Sequence, residues 1–142
     1  MASKLTVVTH PDLFVSPGFR ILAIGNYKFR TEVQDLVGIL WPDEDVVFYS
    51  VDDKDSVGAK SPTPREWAFV HSKLADIIIV DILHVWENTW PLLLATPAKI
   101  YFKVHDDGRN YQDLINTLKL THIDQVFHTV EEAVKAAVSA RL

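Results

Sequence analysis

The run Ala75-Asp76-Ile77-Ile78-Ile79-Val80-Asp81-Ile82 limits the fold more than any other stretch of this chain. From Ile77 to Val80 every residue is β-branched, and no polar residue alternates with them. A strand with one wet face alternates apolar and polar side chains with a period of two. A continuous β-branched run is therefore buried on both faces. Covering both faces takes a sheet held between two layers, and that is the geometry of parallel strands joined by helical crossovers.

The rest of the chain supplies the matching pieces. Residues 4–10 (KLTVVTH) and 20–25 (RILAIG) read as strands, separated by the turn signal Ser16-Pro17-Gly18. Thr31 and Gln34 have capping-box spacing, and Val33, Leu36, Val37 and Leu40 fall at i, i+3, i+4 and i+7. This predicts a helix that Trp41-Pro42 closes. Residues 46–51 (VVFYSV) form the next strand, followed by the polar stretch DDKDSVGAKSP, a loop from Asp52 to Ser61 that could close over a site. Thr63-Pro64-Arg65-Glu66 is a strong helix start, with Trp67, Val70, His71 and Leu74 as the inward stripe. After the strand at 77–82 come a short helix over 88–95, a strand at 99–104 (KIYFKV) and a helix marked by Tyr111, Leu114, Ile115 and Leu118. A short strand at 125–128 precedes a second capping box, Thr129 with Glu132, which opens a last helix faced by Val130, Ala133, Val134, Ala137 and Val138. The expectation is one α/β domain over residues 1–142. It is a three-layer, flavodoxin- or Rossmann-like sandwich, with a mostly parallel five-stranded central sheet and helices on both faces.

Charge and composition remove several classes of function. With 14 basic and 19 acidic residues the chain carries a net charge of −5 and has no basic stripe. Nucleic acid is not an expected partner, because affinity for its backbone comes from neutralising phosphates. The apolar runs fall short of the roughly 20 residues a bilayer span needs, so no membrane is expected. The start MASKLTVVTHPD lacks the apolar core of a secretory signal, and there is no cysteine. Both features agree with a cytoplasmic location.

In open α/β sheets ligands sit beyond the carboxyl ends of the strands, near the point where strand order reverses. That rule selects Asn26 and Tyr27 after the second strand, Asp52 and Asp53 after the third, and Asp81 with His84 after the fourth. It also selects His105-Asp106-Asp107 after the fifth strand and His128-Thr129 after the last. No phosphate-cradling G-x-x-x-x-G-K-[ST] or G-x-G-x-x-G loop occurs among them, and no G-x-S-x-G elbow. An edge rich in carboxylates suits sugar hydroxyls or a neutral or cationic base, with Trp86 and Trp90 offering flat faces for stacking. The ligand-binding candidates are Asn26, Tyr27, Asp52, Asp81, Trp86, Trp90, His105 and Asp106. Glu87 and Asp81 are the candidates for acid-base or glycosyl chemistry. Plainer roles stand beside each: a solvated loop for Asp52, a turn for Asp106-Asp107-Gly108, a cap for Asp81 and core packing for the tryptophans. His84 and Glu87 have the spacing of a metal pair but bring no third or fourth ligand, so neither a metal nor a cofactor is expected.

From RILAIGNYKFRTEVQDLVGIL to the C-terminus the chain resembles the nucleoside 2-deoxyribosyltransferase-like superfamily. The resemblance is carried by a first strand with a polar turn, a helix running into Leu74-Ala75-Asp76-Ile77-Ile78-Ile79, a short helix before AKIYFKV, and the late segment DQVFHTVEEAVKAAV. It implies cleavage of the bond between a deoxyribose and its base by a glutamate that an aspartate assists. The glutamate position falls on Trp90, with Glu87 a turn away. The aspartate position falls on Ala68, near Glu66, and HVWENTWP stands where a glycine-rich approach is expected. The stretch Ala75-Asp76-Ile77-Ile78-Ile79-Val80-Asp81 also resembles the phospho-accepting strand of receiver domains. Gly25-Asn26 replaces the acidic pair of that family, and its lysine is missing near His128, which implies a pseudo-receiver working by contact.

Two functional expectations follow. One is a non-catalytic binding or interaction protein, holding a nucleoside-like ligand or a protein partner along the edge from Asp81 to Trp90. The other is an active N-glycosidic-bond enzyme of the deoxyribosyltransferase or hydrolase type, using Glu87 with Asp81 or Asp52. Trp86, Trp90 and the leucines at 92–94 offer enough apolar surface to expect a homo-oligomer.

Overall fold

The computed structural model of the chain describes residues 5–8, 18–42, 44–49, 74–82, 93, 96–104, 116 and 123–141. Six strands make one parallel sheet: β1 (Leu5–Val8), β2 (Phe19–Ile24), β3 (Val46–Tyr49), β4 (Ile77–Asp81), β5 (Lys99–Lys103) and β6 (Ile123–Phe127). Their order is β1-β3-β2-β4-β5-β6, with every neighbouring pair parallel. Without β1 this is the doubly wound flavodoxin-like order, so the expected fold class holds. The sheet has six strands instead of five because the N-terminal strand joins it, pairing outside β3 with Leu5 beside Val46 and Val8 beside Tyr49.

The two faces of β4 explain its unbroken apolar run. All five residues are buried. Ile78 and Val80 pack with Val8, Leu22, Val47, Tyr49, Ile100 and Phe102 on one face. Ile77 and Ile79 pack with Ile21, Ala23, Phe48 and Tyr101 on the other. Helices α1 (Tyr27–Leu40) and α2 (Val130–Arg141) cover the second face through Phe29, Val33, Val37 and Trp41 and through Val130, Ala133, Val134 and Ala137. The first face is buried just as fully, and the helical residue Leu93 belongs to its cluster.

Two local expectations are corrected. The first helix does not begin at Thr31. Asn26, extended at φ −72° and ψ 173°, caps it by accepting from the Phe29 N–H at 2.8 Å, so Thr31 and Gln34 lie inside the helix. Asparagine is a strong cap, and no helix breaker stands between residues 27 and 31. The last strand starts two residues earlier than expected, at Ile123, and carries a bulge: Ile100 pairs with Ile123 but Tyr101 with Gln125. At the second expected box Thr129 caps α2, with the Glu132 N–H donating to Thr129 Oγ1 at 3.1 Å.

The amino end of the sheet is closed by side chains. Glu44 accepts two hydrogen bonds from Arg141, at 2.7 and 2.8 Å, and a third from the Trp41 indole at 2.8 Å. Arg141 also lies 4.2 Å over the ring of Phe19, which stacks on Trp41. Next to them Asp76 accepts from the Arg20 backbone N–H at 2.8 Å. This clasp ties the ends of both helices to the start of β2, opposite the edge where a ligand would bind.

Candidate functional site

The chain leaves β2 toward β3 and later returns to β4 on the other side of β2, so the reversal of strand order lies between β2 and β4. Val80 pairs with Ile24. The next residues outward on these adjacent strands are therefore Asp81 and Gly25, followed by Asn26 at the head of α1. The structure thus brings Asn26, Tyr27 and Asp81 to the place where doubly wound sheets hold ligands. The other sequence candidates, Asp52, Trp86, Glu87, Trp90, His105 and Asp106, lie outside the described residues, as does the loop from Asp52 to Ser61.

Asp81 is only 4% exposed, ending a central strand with a carboxylate sunk to the level of the core. Its register partner on β5 is Lys103, which is half-buried. Alternation from Ile77 and Ile79 places Asp81 on the sheet face that α1 and α2 cover, and alternation from Tyr101 places Lys103 on the same face. A buried carboxyl group must be paired or hydrogen-bonded within the protein, which makes this strand end a polar spot inside an apolar core.

The turn from β2 into α1 is tied down from within. The Arg30 N–H donates to the Asn26 carbonyl at 3.0 Å, and Arg30 Nη1 donates to the Gly25 carbonyl at 3.1 Å. Gly25 is required by packing: a Cβ there would press on the Phe29 ring, 2.8 Å from its Cγ. The glycine thus makes room for the chain's own core rather than for a ligand.

Arg30 is the residue that sequence reasoning missed. It is 3% exposed, and its guanidinium sits at the end of β2. A signal for it was present, since Arg30 stands three residues before Val33 and seven before Val37, on the inward stripe. Placing the helix start at Thr31 hid it. The edge expected to be rich in carboxylates and imidazoles therefore holds a buried cation as well, and Asp81 shares it with Arg30 and Lys103. Among the described residues no group of three or more histidine, aspartate or glutamate side chains could hold a metal ion. No described helix is long and apolar enough to cross a membrane.

No family model matches the chain. A stretch of 115 residues, 80% of the chain, is 22% identical to the vacuolar protein sorting/targeting protein 10 of Pyricularia oryzae. The chain spans about 7% of the length of that curated relative. A likeness this distant, to so small a part of the relative, leaves the family of the chain open.

Proposed function

We propose that this chain is a small α/β binding protein that holds a nucleoside-like molecule at the carboxyl edge of its sheet and does not cleave it. The observation that carries the reading is Asp81, a carboxylate 4% exposed at the end of a central strand, where strand order reverses and beside the pinned turn that presents Asn26. A carboxylate so placed binds hydroxyl or amino groups, and burial strengthens those hydrogen bonds by excluding water. The absence of catalysis is supported by the sequence, where Trp90 occupies the position that the family resemblance reserves for the nucleophile.

The test is a thermal-shift screen of the purified chain against nucleosides, nucleotides, sugars and divalent metals, with free base assayed in the same wells. A nucleoside at a hundred times its Kd adds about 2.7 kcal/mol, which moves the melting temperature by several degrees in a domain of this size. Asp81→Asn is expected to abolish that shift while leaving the unliganded protein folded. No shift with any small molecule overturns the reading in favour of a protein partner. Release of base overturns it in favour of an N-glycosidic enzyme, with Glu87 as the first residue to replace.

A further inference from the structure

We draw no further inference here: the strongest candidate, the side-chain cluster of Glu44, Arg141, Trp41 and Phe19 at the amino end of the sheet, is closed on itself by its own hydrogen bonds and ring contacts, and nothing among the described residues shows what would bind there or open it.

Discussion

Gly25 shows how a residue at a candidate site can be explained by packing alone. Glycine at a strand-to-helix turn invites the thought of a ligand approaching the backbone, yet the space its missing side chain leaves is filled by Phe29, a core residue 4% exposed. Gly25→Ala should force that ring out of its place under α1. The expected cost is about 1–3 kcal/mol, the usual penalty for overfilling a packed core, read as a lower urea midpoint with an unchanged slope. A smaller loss would mean that the ring swings aside freely. Asn26, one residue on, likewise serves the fold: its Oδ1 accepts from the Phe29 N–H and caps α1. Local pattern could nominate Asn26 and Asp81, because both follow strand-like runs. It could not show that Asp81 ends beside that turn, because this depends on which strands are neighbours.

Among the elements, α2 is anchored at both ends by different means. Thr129 caps its start, and Arg141 in its last turn grips Glu44 and covers Phe19. The hydrogen bonds from Arg141 hold the Glu44 carboxyl below its ordinary value of 4.5, with the Trp41 indole helping and partial burial opposing. The same pairing, with Asp76 adding to it, raises Arg141, so the guanidinium stays charged throughout. A carboxylate with a depressed pKa in the folded state contributes stability that is fully present above the unfolded value. That stability is lost as pH falls through the depressed folded value. Glu44→Gln should therefore destabilise the protein at pH 7 by about 1 kcal/mol or less, since the pair is partly exposed and screened. The difference from wild type should narrow as pH falls below 4.5 and vanish at a second, more acid pH where the folded-state Glu44 carboxyl is itself protonated. Urea melts of both proteins at the two pH values check this, and a gap that persists in acid would assign the effect to packing. The sequence spacing of Thr129 and Glu132 foretold the cap, whereas nothing local connects Glu44 with a residue 97 positions away.

For the molecule as a whole, strand order predicts how stability is distributed. β2 and β4 are paired on both edges and buried on both faces, while β1 pairs with one neighbour and buries only Val8 fully. Local opening follows buried contacts and protected hydrogen bonds. In hydrogen exchange the amides of Ile77–Asp81 should be among the last to exchange and those of Leu5–Val8 among the first. Equal protection of the two strands would show that β1 belongs to the same cooperative unit as the centre. The candidate site lies on this expected gradient, because Asp81 ends a strand paired on both edges and buried along its whole length.

What the sequence by itself determined is everything that neighbours along the chain can decide. The β-branched run of β4 required cover on both faces, the apolar stripes of α1 and α2 required a sheet beneath them, and Thr129 with Glu132 required a helix start. These follow from backbone preference and side-chain period, which act over a few residues. Only the tertiary structure decided that β1 adds a sixth strand beside β3, that Asp81 ends next to Gly25 and Asn26, and that Arg141 closes on Glu44. Many strand orders bury the same stripes almost equally well. The choice among them is made by the packing of the complete sheet, and it is that choice which brings the residues of the candidate site together.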